Sequence, residues 1–353
     1  MKDTKYIGID VHKATSVVAV LNGAGKLVAE AVLETSRNSL VDFIRSLRGT
    51  LHVTFEEGTY ANWLYDEIEP NVAKLIVCDP RKVRREGSKT DRLDAKKLAE
   101  LLCRGNLTPV YHGEHSTHTL KELARSYVNL VRDCTRTKNR IKSVFRARGI
   151  GCSGQAVYEQ RNREEWLGKL SEPGARSRAQ HLLEQLHAVQ PICLAAGKEM
   201  VHEARKHAAY KIVQTVPGIG PVRAAIIVAF VMTPHRFRTK KQFWTYLGLA
   251  VVMSGSGEYV IMDGQVRRSK KQALPRGLNQ NYNHVLKSVF KSAAHSAARR
   301  GPFRRWFEQR TQTTAPAMVL LTMARKLSST TLALWKKGEP FCLKRFAAGE
   351  QSA

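Results

Sequence analysis

The stretch YIGIDVHKATSVVAVLNGAGKLVAEAVL, residues 6–33, decides how the N-terminal third of the chain folds. Tyr6-Ile7-Gly8-Ile9 is apolar and stops at a carboxylate, Asp10, as a short buried strand does. Ser16 to Leu21 and Leu27 to Leu33 are two more apolar runs, on either side of Asn22-Gly23, a dipeptide that favours a hairpin turn. Outward from this hairpin the pattern alternates. Asn38 to Leu47 carries Leu40, Phe43, Ile44 and Leu47 at helical spacing, and Leu51 to Phe55 reads as a strand that ends at Glu56. Asn62 to Ile68 reads as a helix and Lys74 to Cys78 as a strand ending at Asp79-Pro80; Thr90 caps a helix that runs to about Arg104. An antiparallel hairpin followed by βα units predicts an α/β domain, a mixed sheet flanked by helices, over residues 1–112.

The rest is mostly helical. Residues 113–209 predict a helical, coiled-coil arm: Leu120, Leu123, Tyr127, Leu130 and Val131 keep three- and four-residue spacing amid Arg and Lys. Further helical stretches follow at Glu164–Leu170 and Arg176–Ala208, with Gly149–Gly154 as the turn of the hairpin. A basic amphipathic pair of helices packed on the body is the alternative. Residues 210–340 predict a mostly α domain, broken by the Gly/Ser loop MSGSGEY (253–259) and the basic run Arg267 to Lys271, with helices at Asn281–Arg299 and Ala317–Trp335. Residues 341–353 form a basic tail.

Charge divides the chain unevenly. There are 58 Lys and Arg against 30 Asp and Glu, a formal charge of +28. Residues 1–110 carry a net +2 and the remainder +26. A near-neutral module followed by a strongly cationic body predicts a catalytic part carried by a polyanion-gripping one. The longest purely apolar run, Ala224 to Met232, is too short to cross a bilayer, and the polar N-terminus lacks a secretory signal. Six scattered cysteines without a C-x-x-C pair argue for neither zinc nor disulfides and suit a reducing cytoplasm.

Four carboxylates stand out in so basic a chain. Asp10 and Glu56 end two strands, and strand-end carboxylates on neighbouring strands meet at one sheet edge. Asp91 and Asp94, three apart at a helix start, face one side of that helix. If the helix crosses that edge, all four converge on hard oxygen ligation of Mg²⁺ or Mn²⁺, the chemistry of phosphodiester cleavage. Glu57 is the alternative to Glu56; strand alternation puts Glu56 on the face of Thr54. Asp10 as a turn cap and Asp91 as a helix-dipole partner are the structural alternatives. In Val216-Pro217-Gly218-Ile219-Gly220-Pro221, Gly218 and Gly220 match a helix-hairpin-helix turn whose N–H groups bind phosphate; an ordinary helix–helix turn is the alternative. In Ser254-Gly255-Ser256-Gly257, a serine between glycines presents its hydroxyl to a phosphate that Arg267, Arg268, Lys270 and Lys271 could neutralise; otherwise it is a flexible loop. A sugar-kinase-like or actin-like ATPase also opens on a strand-borne Asp, but needs a Gly-rich phosphate loop after a later strand, which VPGIGP in its helical, basic context does not supply.

GIDVHK (8–13), FEEGTYANWLY (55–65), VCDPR (77–81), KTDRLDAKKLAELL (89–102), VPGIGPVRAA (216–225), FWTYLGLA (243–250) and SGSGE (254–258) together resemble the DEDD transposases of bacterial insertion sequences of the IS-one-ten type, the bridge-RNA-guided serine recombinases. The resemblance implies an RNase H-like (RuvC-like) first domain with Asp10, Glu56, Asp91 and Asp94 as the metal quartet. It also implies a C-terminal transposase domain with Ser256 as nucleophile and Ser254 as the fallback. Double-stranded donor and target DNA, a structured noncoding guide RNA and a homo-oligomer, a dimer of dimers, follow as partners. The family's Lys-x-Gly-Asn-x-x-Leu-Arg motif is replaced here by LPRGLNQNYNHVLKSVFKSAA (274–294), in which Gly277, Asn279 and Leu286 take its place. A metal-only junction nuclease and a non-catalytic nucleic-acid-binding protein are the competing functions.

Overall fold

The computed structural model describes residues 3–81, 83, 90–112, 117–254, 259–262, 265–268 and 274–343. The chain divides into two compact units, Met1–Gly113 and Glu114–Ala353.

The first unit is built on a five-stranded sheet of order β3-β2-β1-β4-β5. Strands β1 (Thr4–Val11), β2 (Thr15–Leu21) and β3 (Leu27–Glu34) form an antiparallel meander. Strands β4 (Thr50–Glu56) and β5 (Lys74–Cys78) run parallel to β1. Ile7, Ile9, Val53, Phe55 and Val77 bury one face against helices α1 (Arg37–Ser46) and α2 (Ala61–Ile68), through Leu40, Ile44, Leu64 and Ile68. Helix α3 (Asp91–Cys103) covers the opposite face, where Ala95 packs on Val17 and Ala19. Gly8 allows this approach: a Cβ there would lie 2.2 Å from the Ala95 carbonyl oxygen and 2.6 Å from the Ala99 nitrogen.

Local signals explain most boundaries. Ser36 accepts from the Ser39 N–H and Thr90 from the Leu93 N–H, so each caps its helix, as expected for Thr90. The hairpin turn falls where the Asn22-Gly23 signal places it, between β2 and β3. It spans residues 22–26, with Asn22 Oδ1 accepting from the N–H groups of Ala24 and Lys26 at 3.0 Å each. The left-handed residue is Gly25 (φ 77°), because the Asn side chain itself closes the first half of the turn.

The second unit opens with a helical hairpin, α4 (His118–Arg146) and α6 (Pro173–Ala204), running antiparallel. Gly197 sits so close that a Cβ would lie 2.9 Å from the Tyr127 ring, and near the other end Arg148 pairs with Glu172 at 2.6 Å. The expected turn at Gly149–Gly154 is the start of a longer folded tip. It holds α5 (Arg163–Gly168) and a small core of Phe145, Val157, Trp166, Leu167 and Leu183. Helices α7 (Ala208–Gln214), α8 (Pro221–Val231), α9 (Lys240–Tyr246), α10 (His284–Arg299), α11 (Arg304–Thr311) and α12 (Pro316–Lys337) share a larger core around Ile227, Phe243, Phe290, Met323 and Leu327.

Four short strands are the element the sequence concealed. They are β6 (Val251–Ser254), β7 (Tyr259–Met262), β8 (Gln265–Arg268) and β9 (Leu274–Leu278), paired antiparallel as β6–β9 and β7–β8. Ile261 and Val266 are 77% and 70% exposed. Val251, Val252 and Met253 of β6 are exposed as well, so these apolar residues carry no in–out alternation to read. Among the described residues no helix is long and apolar enough to cross a membrane.

Candidate functional site

Asp10 lies one residue from the end of β1, on the same face as Gly8 and therefore on the α3 side of the sheet. The parallel register sets Ile9 beside Phe55, so Asp10 and Glu56 end adjoining strands. Phe55 is buried on the α1–α2 side, and alternation places Glu56, like Thr54, on the α3 side. Glu57 is engaged elsewhere. Its Oε2 is 2.7 Å from Nε2 of the half-buried His112, whose ring stacks on Tyr65 of α2 at 5.0 Å.

Helix α3 brings the other two acids. The Thr90 cap fixes its start, so Asp91 and Asp94 fall in the first turn, where the helix dipole favours negative charge. Asp91 meets Asp10 through a residue the sequence reading did not include. His12 Nε2 is 3.1 Å from Asp10 Oδ2 and 3.4 Å from Asp91 Oδ1. One ligand atom each from Asp10, His12 and Asp91 lies within 4.8 Å of the other two. Glu56 and Asp94 stand outside this tight group. The available signal for His12 was its position two residues after Asp10, which keeps both on one side of an extended chain.

The electrostatics of the site are set first by burial. Burial raises the pKa of Asp10 above the ordinary aspartate value; Asp94 and Asp91 add to the rise, and His12 opposes it. Cys78, beside Glu56 in the β4–β5 register, is pushed up to about 11 by burial and then by Glu56. It stays a neutral thiol, so the donors here are carboxylate oxygens and one imidazole. That set fits a hard or borderline divalent cation.

In the second unit the Gly218–Gly220 turn is laid tightly against α10. Gly218 has φ 82°, and a Cβ there would lie 2.4 Å from the Ala293 carbonyl oxygen. Gly220 caps α8, with Pro221 as its first residue. Arg223 ties the turn down, donating to the Gly218 carbonyl at 2.7 Å, Ser296 Oγ at 2.9 Å and Ser292 Oγ at 3.1 Å. Arg325 does the same for the chain entering β6: its Nε donates to the Leu249 carbonyl at 2.7 Å, while one terminal nitrogen is buried without a hydrogen-bond partner. Burial lowers the pKa of both arginines. Asn279 joins the roots of β6 and β9, donating from its backbone to the Ala250 carbonyl at 3.1 Å and from its side chain to Thr245 at 2.9 Å. Gly277 (φ 95°) lies in β9 and Leu286 is buried in α10. Ser254 closes β6 opposite Leu274. Arg267 and Arg268 close β8 opposite Val260 and Tyr259. Ser256, Lys270 and Lys271 lie outside the described residues.

Comparison with known proteins agrees with both halves. The family model of IS110-type DEDD transposases matches residues 7–147, which take in the sheet and α4. A second, described as the transposase IS116/IS110/IS902 family, matches residues 210–309. The transposase for insertion sequence element IS1533 of Leptospira borgpetersenii is 26% identical over 182 residues, 48% of this chain and 51% of the relative. A putative transposase, y4qE, of Sinorhizobium fredii (strain NBRC 101917 / NGR234) is 25% identical over 263 residues, 72% of this chain and 65% of its own. The transposase for insertion sequence element IS1111A of Coxiella burnetii (strain RSA 493 / Nine Mile phase I) is 24% identical over 305 residues, 83% and 82% of the two chains. The chain thus spans about half of the first relative's length and just under two thirds of the second's. The two family models together cover about two thirds of the sequence, and the chain belongs to the IS110-type transposases.

Proposed function

We propose that this protein moves an insertion sequence by cutting and rejoining DNA, with Ser256 as nucleophile and the four carboxylates of the first unit at the scissile phosphate. The observation that carries this is the gathering of carboxylates from β1, β4 and α3 on one side of the sheet, within a unit of near-neutral charge. The strand order β3-β2-β1-β4-β5, antiparallel then parallel, supports an RNase H-like, RuvC-like fold for residues 1–112. Residues 113–209 are then a coiled-coil arm, 210–340 the transposase domain and 341–353 a basic tail.

Asp10, Glu56, Asp91 and Asp94 would hold a divalent ion, Mg²⁺ or Mn²⁺, which supplies Lewis acidity at the phosphate. The Ser256 hydroxyl attacks phosphorus, the bond to O3′ breaks, and the proton leaves Oγ for the departing O3′. A phosphoserine link and a free 3′-OH remain. Attack of a different 3′-OH on that link rejoins the strands, so the bond energy is conserved and no nucleotide is consumed. Gly218, Gly220, Arg267, Arg268, Lys270 and Lys271 would hold the DNA backbone, as N–H donors and cations do without reading sequence. The surplus of positive charge in the second unit also suits a structured guide RNA that pairs with donor and target. A dimer of dimers, acting at the nucleoid in the bacterial cytoplasm, completes the proposal.

A labelled element junction incubated with the protein and resolved under denaturing conditions tests it. Wild type should give a covalent protein–DNA adduct that Ser256→Ala loses. An adduct that survives this change would transfer the role to Ser254. Wild-type cleavage without any adduct would favour a metal-only nuclease.

A further inference from the structure

His12 belongs to none of the roles assigned above, yet its ring nitrogen sits between two of the proposed metal ligands. We propose that His12 Nε2 is itself a ligand of the divalent centre, beside Asp10 and Asp91, which makes the site a mixed nitrogen–oxygen one. The inference rests on the carboxylate reading of the site and names a further residue in it.

Three observations support it. Nε2 stands 3.1 Å from one carboxylate and 3.4 Å from the other. Metal–ligand bonds of about 2.1 Å in an octahedral shell put neighbouring ligands roughly 3 Å apart, so little rearrangement separates these atoms from a coordination shell. Secondly, a single ring nitrogen faces two carboxylates. A cation among the three serves all of them at once. Thirdly, the His12 backbone is pinned: its N–H donates to the Thr15 carbonyl at 3.1 Å and its carbonyl accepts from Thr35 Oγ1 at 2.9 Å. Thr35 is in turn bonded to Ser16 Oγ at 2.8 Å. The ring is 46% exposed, so an ion reaches it from solvent.

An imidazole in an otherwise carboxylate set shifts preference from Mg²⁺ towards Mn²⁺, because nitrogen ligation suits the later metal better. Mn²⁺ alone, added to the full-length protein without nucleic acid, gives a readout independent of activity. Pulsed electron paramagnetic resonance should show ¹⁴N modulation from a bound nitrogen. His12→Ala should abolish that modulation and weaken Mn²⁺ binding roughly tenfold or more, with a smaller loss for competing Mg²⁺. His12→Gln, which keeps a polar side chain of similar reach, should also lack the modulation while melting like wild type. Asp10→Asn should abolish binding. Mn²⁺ that binds wild type and is lost in Asp10→Asn, but shows no ¹⁴N modulation, would overturn the role of His12 and leave the carboxylate centre standing. Modulation that persists in His12→Ala would likewise exclude His12. Unchanged Mn²⁺ affinity in Asp10→Asn would remove the carboxylate centre, and His12 with it.

Discussion

The two units bury opposite charges. In the first, Asp10 is drawn from solvent on the α3 side of the sheet with further acids close enough to raise its pKa. In the second, Arg223 and Arg325 are partly buried against carbonyls and hydroxyls. Both arrangements cost free energy, since a desolvated charge is stable only with a counter-charge or good hydrogen bonds. Under the proposed function, a cation would relieve the first unit and a polyanion the cationic second. Net charges of +2 for residues 1–110 and +26 for the remainder say the same at low resolution.

The comparison breaks most visibly at two glycines. Gly8→Ala drives a methyl into the α3 backbone, and Gly218→Ala drives one into α10 from a left-handed residue. Each should cost about 3 kcal/mol or more, as overpacking against backbone does. Calorimetry should show Gly8→Ala lowering the transition of the first unit and Gly218→Ala that of the second. A single transition that moves as a whole in both would mean that the units do not melt as separate bodies.

A smaller effect sharpens the electrostatic half. Binding to nonspecific duplex DNA should weaken with salt with a log–log slope of about −5 or steeper. Arg267→Gln with Arg268→Gln should reduce its magnitude by about 2. Lys26→Gln with Lys74→Gln, exposed in the first unit, should leave the slope unchanged. Equal changes from both pairs would show that the DNA does not prefer the cationic unit.

The smallest effect concerns Asp10. Its pKa is raised in the folded chain, so folding favours its protonated form. That contribution is fully present below the ordinary aspartate pKa and is lost as pH rises through the raised value. Without divalent ions, Asp10→Asn should then melt above wild type at neutral pH, and the gap should close as pH falls below the aspartate range. Adding Mn²⁺ should reverse the order, because only wild type binds it. A variant that melts below wild type at neutral pH without metal would show that the Asp10–His12 contact outweighs the burial cost.

Much of the first unit was legible because its signals are local. Apolar runs ending at Asp10 and Cys78, helical spacing from Leu40 to Leu47 and the Thr90 cap each depend on a few neighbouring residues. The turn at 22–26 was legible from Asn22-Gly23, although the side-chain bonds of Asn22 that close it were not. Strands β6–β9 and the folded tip of the α4–α6 hairpin were hidden, the former because apolar residues such as Met253, Ile261 and Val266 are exposed and show no alternation, the latter because its core is assembled from scattered residues such as Phe145, Trp166 and Leu183. The choice between Glu56 and Glu57 could be argued from alternation. His112, which engages Glu57, comes from far along the chain and could not be foreseen.

The sequence by itself determined where the acids stand and how charge is divided: two strand-end acids, a capped helix with two more, and a cationic remainder. Tertiary structure alone decided which of them meet. Asp91 reaches Asp10 because α3 crosses the sheet over Gly8, at a distance set by the missing Cβ. That approach also places His12 between the two carboxylates. Helix-on-sheet packing depends on every residue at the interface at once, and so is not written in any one of the motifs it brings together.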